Sequence, residues 1–222
     1  MSIVKLNNRA VKDATAVGSI TGLGNLVFIS RSTASSSASL SITSGIDSTY
    51  KEYIFYFNNI HPATASNFTF NLSADSGSNY NVTKTTTNFY AYHNESGSDS
   101  GLSYNTTLDL AQGTGYQVLG NVEADNDTSC SGYLHLFEPS STTFVKHFIS
   151  RVNVVYPAGT DYTSDYFTAG YGNTTSAIDA VDFKMSSGNI DAGTIQMFGV
   201  VKWVHIQTLD TIIIYLAVQA VV

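Results

Sequence analysis

The sequence predicts an all-β protein, built as an antiparallel β-sandwich, and three observations support this. Apolar and polar residues alternate in many short segments, as at Tyr53, Phe55 and Phe57, and a period of two is typical of a strand with one buried face. Clusters of Gly, Asn, Asp, Ser and Pro separate the segments, and turns require these residues. No convincing amphipathic helix interrupts the pattern. Roughly nine or ten short strands with turn signals between them indicate a sandwich or a barrel.

Each strand is predicted from its own alternation or from its β-branched and aromatic residues. Pro62 ends the strongest strand because proline has no N–H group to donate to a neighbouring strand. The stretch 82–93 lacks a clean period and is interpreted as a strand broken by a bulge. In chain order, the predicted strands cover residues 33–43, 50–60, 68–72, 82–93, 108–122 with a break at 113–115, 133–138, 144–149 with a continuation through 151–156, 181–185 and 194–199.

Two hairpins and one long loop are predicted from the turn residues. Segments 133–138 and 144–149 are separated by a short turn that begins at Pro139. Segments 181–185 and 194–199 are joined through Gly188 and Asn189, which tolerate positive φ. The stretch from Pro157 to Tyr171 is rich in Tyr and Asp and is predicted to be a loop.

Composition excludes several classes of function. The chain has 10 basic and 17 acidic residues, a net charge of −7, and no cluster of Lys and Arg, so nucleic acid is not an expected partner. Cys130 is the single cysteine, which rules out an internal disulfide framework and predicts a small buried residue. The apolar run 211–222 is shorter than the ~20 residues that a membrane helix needs, so membrane insertion is not expected. No nucleotide-binding or hydrolase motif occurs, and no cofactor is expected.

Two groups of residues have some resemblance to metal sites. His135 and His147 fall on the two strands of a predicted hairpin, but no third ligand completes a site there. Glu123, Asp125 and Asp127 offer oxygen ligands without the spacing and glycine of a known calcium loop. A cross-strand histidine pair and a solvated turn are the favoured interpretations, and no metal site is predicted.

The loop predicted at 157–171 is the candidate site for recognition. Aromatic faces stack on sugar rings, and Asp side chains accept hydrogen bonds from sugar hydroxyls, so this loop is a candidate glycan-binding site. Loops 94–100 and 125–128 are its expected neighbours. The alternative is that the aromatic rings cap one end of the sandwich. The candidate glycan-binding residues are Tyr162, Tyr166, Tyr171, Asp161 and Asp165.

Four phrases of the sequence carry a resemblance to a known family. They are KEYIF-x-F-x-NIHP at 51–62, GYLHLFEPSSTTFVKHFISR at 132–151, TAGY-x-NTTSAIDAV at 168–181 and SSGN-I-x-x-G-T-I-x-x-F-G at 186–199. Together they resemble small jelly-roll proteins in the virions of tailed, especially marine, bacteriophages. The resemblance implies a jelly-roll sandwich in an oligomeric virion component that is tail-fibre-like or decorates the capsid. It also implies assembly in the host cytoplasm with other virion proteins, and it supplies no binding residues.

The resemblance and the composition divide the chain into three parts. Residues 1–31 are interpreted as an N-terminal arm or anchoring segment, and a pair of short strands with a loop over 3–29 is the alternative. Residues 32–201 are interpreted as the jelly-roll sandwich, and 202–222 as an apolar C-terminal extension beyond the point where the family tends to end. A monomer would leave the arm and the extension partly exposed, so self-association is predicted, as a homotrimer.

The leading hypothesis is a non-enzymatic virion structural protein that contacts glycans of the host surface. The alternatives are a glycan-cleaving depolymerase that uses carboxylates in a groove, and a free carbohydrate-binding module. The same analysis predicts a core made of the consistent inward faces of the strands. Its members are Tyr53, Phe55, Phe57, Phe68, Phe70, Val181, Phe183 and Met197.

Overall fold

Twelve β-strands in two antiparallel sheets make up the residues that the computed structural model describes, 26–157 and 161–201. No helix long and apolar enough to cross a membrane occurs among these residues. The strands are β1 (Leu26–Thr33), β2 (Leu40–Ile42), β3 (Glu52–Pro62), β4 (Ser66–Ser73), β5 (Lys84–Asn94), β6 (Ser100–Tyr104), β7 (Gln117–Val122), β8 (Cys130–Phe137), β9 (Lys146–Pro157), β10 (Asp161–Gly172), β11 (Ala180–Met185) and β12 (Ile190–Val200).

The two sheets differ in size. The large sheet has eight strands in the order β1-β12-β3-β8-β9-β10-β5-β6, and the small sheet has four in the order β2-β11-β4-β7. The strands β1 to β4 alternate between the sheets, as do β7 and β8, and β11 and β12. The prediction of an all-β fold with antiparallel sheets is therefore confirmed.

The predicted core is also confirmed. All eight of its residues, from Tyr53 to Met197, are at most 1% exposed. Phe183 of β11 lies among aromatic rings from both sheets, with its centroid 5.3 Å from that of Phe57 in β3 and 6.0 Å from that of Phe68 in β4. Cys130 is buried as expected, and burial raises the pKa of its thiol.

The predicted hairpin between 133–138 and 144–149 is present, whereas the one between 181–185 and 194–199 is wrong. Strands β8 and β9 pair antiparallel, with Leu136 opposite Phe148. Strand β11 pairs with β2 and β4 in the small sheet, while β12 pairs with β1 and β3 in the large sheet. Gly188 does turn the chain, with φ of +71°. A strand with one buried face shows the same alternation whether the next strand lies beside it or opposite it across the core.

Two further predictions about strands are wrong. The stretch 157–171 is largely strand β10, which pairs with β9 on one side and β5 on the other. Strand β5 carries no bulge, because its pairing with β10 continues from Lys84 to Asn94 without a shift in register. The inward positions of β5 include buried polar residues such as Asn88, and this hides the apolar period that would have identified a regular strand.

The predicted N-terminal arm is described only in part. Residues 26–31, which were assigned to the arm, belong to β1 and pair with β12. Residues 1–25 of the arm and the predicted extension 202–222 lie outside the described residues.

Two lysines are fully buried on the inner face of the large sheet. Lys84 and Lys146 lie on either side of Gly172 in neighbouring strands. The ammonium of Lys84 donates hydrogen bonds to Asn71 Oδ1 and to the carbonyl oxygen of Val82, and that of Lys146 donates to main-chain carbonyl oxygens at 2.6 and 2.7 Å. Burial lowers the pKa of both lysines, that of Lys84 to about 8.

Truncating the central ring should destabilise the fold strongly. We expect Phe183→Ala to lower the free energy of unfolding by about 3–5 kcal/mol, because it removes contacts with rings of both sheets and leaves a cavity. Phe144→Ala is the matched control, since Phe144 is 66% exposed and its truncation should cost less than about 0.5 kcal/mol. Urea unfolding measures both, and equal losses for the two variants would contradict the assignment of the core.

The buried ammonium of Lys84 should make stability depend on alkaline pH. Below pH 8 the lysine is protonated in both states, and the folded state carries the cost of burying the charge. Between pH 8 and pH 10 the folded protein releases this proton while the unfolded chain keeps it, so the contribution of Lys84 to the free energy of unfolding should rise, by an amount on the order of 2 kcal/mol. The rise is measured as the difference between the unmodified chain and Lys84→Met, because tyrosines with raised pKa values, such as Tyr166, lower the stability of both proteins near pH 10.

Urea unfolding at pH 7, 8, 9 and 10 measures this rise. Lys84→Met should lose the part of the rise that Lys84 contributes, while any part due to Lys146 stays. Lys51→Met should retain the whole rise, because Lys51 lies on the surface with 47% of its side chain exposed. Parallel pH profiles for Lys84→Met and the unmodified chain would show that Lys84 is not its source.

Candidate functional site

A cleft opens where the large sheet extends past the small one. Strands β10, β5 and β6 continue the large sheet on the side of β7, which is the edge strand of the small sheet. Inward side chains of β10 and β5, together with one residue each of β9 and β7, border a cleft of about 410 Å³. It is lined by five tyrosines with one serine and one asparagine, namely Tyr90, Tyr92, Tyr156, Tyr162, Tyr166, Ser164 and Asn121.

The register of three neighbouring strands brings the tyrosines together. Side chains two residues apart in a strand lie on the same face, so Tyr162 and Tyr166 of β10 both face inward. Tyr166 is opposite Tyr90 of β5, and their rings are stacked at 5.0 Å between centroids. Tyr162 is opposite Tyr156 of β9, and its ring lies 6.1 Å from that of Tyr92.

A loop after β5 holds a carboxylate at the mouth of the cleft. The side-chain oxygen of Asn94 accepts hydrogen bonds from the backbone N–H groups of Ser98 and Asp99, each at 3.0 Å. Asp99 thereby reaches Tyr162, whose hydroxyl donates a hydrogen bond to Asp99 Oδ2 at 3.0 Å. This hydrogen bond raises the pKa of Tyr162, because removing the phenol proton would place two negative charges together.

The tyrosines of the cleft differ in exposure. Tyr166 is only 8% exposed, and burial raises its pKa to about 12. Tyr156 is 37% exposed, and Tyr92 and Tyr162 are half-buried. Tyr166 therefore forms part of the wall, while Tyr92, Tyr156 and Tyr162 present surface to a ligand. Asn121 Oδ1 is buried and accepts no hydrogen bond from the described residues.

The structure separates the five candidate residues predicted from sequence. Tyr162 and Tyr166 lie together in the cleft. Asp165 and Tyr171 lie at the alternate positions of β10 and face the opposite side of the sheet, as does Asp161 at its first residue. Asp165 there forms an ion pair with Arg151, with Nε to Oδ2 at 2.9 Å, rather than facing the same ligand as the tyrosines. The predicted site of five converging residues is therefore wrong. In a loop all five side chains could face one ligand, whereas successive side chains of a strand point to opposite faces.

Sequence analysis did not identify several residues of the site. Tyr90 and Tyr92 are spaced by two, which is the spacing of one face of a strand. The polar inward positions before them concealed the regular alternation of that strand, which was predicted with a bulge. The expected neighbouring loop 94–100 supplies Asp99. The other expected neighbour, 125–128, contributes no residue to the lining of the cleft.

The chemistry of the lining residues suits binding. Their side chains offer aromatic faces, hydroxyl groups and an amide, and pockets of this kind hold polar ligands through apolar contact and a few placed hydrogen bonds. Within 26–157 and 161–201, no three His, Cys, Asp or Glu side chains are grouped closely enough to hold a metal ion. His135 and His147 both face outward and are not opposite each other, since Ile149 is the partner of His135 and Tyr171 that of His147.

Comparison of the sequence with protein-family models and with curated proteins, and of the structure with solved structures, found no match. The function is therefore argued from the geometry of this chain.

Removing the charge of Asp99 should lower the pKa of Tyr162. In Asp99→Asn the hydroxyl of Tyr162 loses its anionic acceptor, so its phenolate forms at lower pH. Alkaline titration of carbon-13-labelled tyrosine by NMR measures the shift, and Tyr162→Phe assigns the signal. Asp109→Asn is the control, because Asp109 accepts from Tyr104 instead, at 2.6 Å. An unchanged Tyr162 titration in Asp99→Asn would contradict the hydrogen bond.

Proposed function

We propose that this protein is a structural protein of a tailed-phage virion, which self-associates and binds glycans of the host surface through the tyrosine cleft. The observation that carries the proposal is the convergence of five tyrosines at one uncovered end of a rigid sandwich. Recognition residues supported on paired strands are held more precisely than residues on a mobile loop.

The cleft suits a sugar for three physical reasons. A tyrosine ring presents a flat apolar face to the C–H groups of a sugar and a hydroxyl group to its oxygens. Tyr92 and Tyr162 are close together but tilted by 52°, so they border a concave surface rather than a single plane. Asp99 adds an acceptor at the mouth, beside the Tyr162 hydroxyl.

The proposal includes a jelly-roll architecture. The segment β1-β12-β3-β8 of the large sheet and the whole small sheet β2-β11-β4-β7 give two four-stranded layers whose connections pass repeatedly from one layer to the other. This order supports an eight-stranded jelly roll. On this interpretation β5–β6 and β9–β10 are additions that widen the large sheet and create the cleft.

The virion location and the oligomeric state rest on the sequence. The four phrases at 51–62, 132–151, 168–181 and 186–199 resemble jelly-roll proteins of tailed phages, which are assembled in the host cytoplasm and are usually oligomeric. The proposed state is a homotrimer in contact with other virion proteins. Tail and capsid positions are both consistent with the resemblance.

Binding is proposed in preference to cleavage. Glycoside hydrolysis generally uses two carboxyl groups on either side of the bond that breaks. The described lining of the cleft consists of tyrosines, a serine and an asparagine, and Asp99 is engaged with Tyr162 at the mouth.

Removing two accessible rings should abolish glycan binding without unfolding the protein. The double variant Tyr92→Ala/Tyr162→Ala is preferred over changes at Tyr166, whose buried ring contributes to the fold. We expect binding to glycan arrays and to host cells to fall by about tenfold or more. Stacking of a ligand ring on an aromatic side chain contributes about 1–3 kcal/mol for nucleic-acid bases, and we expect a similar contribution from each tyrosine here. Phe144→Ala, which removes an exposed ring outside the cleft, is the control.

The same preparations distinguish the alternatives. Undiminished binding by a folded double variant would contradict the cleft as the glycan site. Release of short sugar fragments from a bound polysaccharide by the unmodified protein would favour the depolymerase hypothesis instead.

A further inference from the structure

The outer face of the large sheet carries a row of rings across its width. Successive partners in register are Tyr56 of β3, Tyr133 of β8, Arg151 of β9, Phe167 of β10, Phe89 of β5 and Tyr104 of β6. We refer to these six residues as the outer aromatic band. They all point away from the small sheet, on the face opposite to the tyrosine cleft.

Several neighbouring members of the band are in contact. The rings of Phe89 and Phe167 are stacked at 4.8 Å with an angle of 4° between their planes. The guanidinium carbon of Arg151 lies 4.9 Å from the centroid of Phe167. The rings of Tyr56 and Tyr133 are 6.4 Å apart. Planar groups therefore cover the middle of the sheet from β3 to β5.

Large apolar side chains on this face are exposed to solvent. Ile149 next to the band is 50% exposed, Phe28 at the β1 edge is 54% exposed, and Tyr104 at the β6 edge is 59% exposed. Monomeric proteins rarely expose large contiguous apolar patches, and larger ones mark interaction surfaces.

The charge of the band favours a second copy of this chain as the partner. The whole chain carries −7, so two copies repel each other over most of their surfaces. The one charged side chain of the band, Arg151, is neutralised by Asp165 beside it, with Nη2 to Oδ2 at 2.6 Å. The Arg151–Asp165 pair therefore adds no net charge at the band.

The size of the face also fits a protein interface. Eight strands at about 4.8 Å spacing span roughly 34 Å, and eight residues along a strand span about 26 Å. The product, about 900 Å², is close to the ~800 Å² per partner of a stable interface. Packing of one sheet face on another is also the arrangement that buries side chains inside a sandwich.

We infer that copies of this chain associate through the outer aromatic band. The inference rests on the self-association proposed above and assigns it to a surface. In a closed trimer each copy makes two contacts, and this face would supply its side of one of them. Two polar side chains of the band are already engaged, Arg151 with Asp165 and the Tyr104 hydroxyl with Asp109, which leaves its rings as the main contact surface.

A charge placed at the centre of the face tests the inference. Ile149→Lys puts an ammonium beside the band, and the half-exposed position lets the side chain reach water in the monomer, so the variant should fold. Burying the charge between copies should weaken association by about tenfold or more. Phe144→Lys is the matched control, since it replaces an exposed aromatic residue in the connection between β8 and β9.

Sedimentation equilibrium of the full-length proteins gives the readout, with circular dichroism to verify folding. We expect the unmodified chain and Phe144→Lys to sediment at the same multiple of 23.9 kDa, and Ile149→Lys to dissociate at the same concentration. Phe89→Lys should also dissociate, and it replaces Ile149→Lys as the test if circular dichroism shows that Ile149→Lys is unfolded.

Three outcomes would overturn the inference. If the unmodified protein is oligomeric and Ile149→Lys and Phe89→Lys leave it so, self-association stands and the surface is wrong. If the unmodified protein is a monomer at micromolar concentration, both the surface and the proposed self-association are wrong. If a monomeric protein loses glycan binding on Ile149→Lys, the band binds sugar instead.

Discussion

The large sheet has eight strands and the small sheet has four, and this difference in width creates the tyrosine cleft. The small sheet is held on the large one by the aromatic rings around Phe183, and it ends at β7. Beyond that edge the inner face of the large sheet cannot be apolar throughout, because water reaches it. Tyrosine suits such a half-covered position, since its ring packs and its hydroxyl group remains hydrated. The cleft is thus a consequence of how the layers overlap.

The same overlap explains the polar interior near the edge of the small sheet. Lys84 and Lys146 are buried on the inner face of the large sheet; their ammonium groups bond to carbonyl oxygens, and that of Lys84 also bonds to Asn71. Asn88 donates to Thr168 Oγ1 at 2.7 Å in the next strand. Buried polar groups are tolerated when they are hydrogen-bonded, and these bonds connect β5 to β4 and β10 at the point where apolar packing stops.

The two faces of the wide part of the sheet have different chemistry, and this separates the two proposed roles. The inner face combines accessible tyrosine rings with hydroxyl groups and with the amide oxygen of Asn121, which has no hydrogen-bond partner in the part of the chain that the structure describes. This combination suits a polar ligand. On the outer face Arg151 is bonded to Asp165 and Tyr104 to Asp109, and the exposed rings beside them suit burial against protein. Because strands alternate their side chains, adjacent residues of β10 such as Tyr166 and Phe167 serve opposite surfaces.

The sequence alone determined the fold class, the position of most strands and the core, because burial of one strand face leaves a local period of two in the chain. It also named Tyr162 and Tyr166 as candidates, and the structure places both in the cleft. Only the tertiary structure decided which strands pair. Strands β11 and β12 lie in different sheets, and their sequences would show the same alternation if they were paired with each other. The site depends on this pairing. Tyr162 bonds to Asp99, 63 residues away, because β5 and β10 are neighbours in one sheet. Asp165 lies on the other face because side chains alternate along β10.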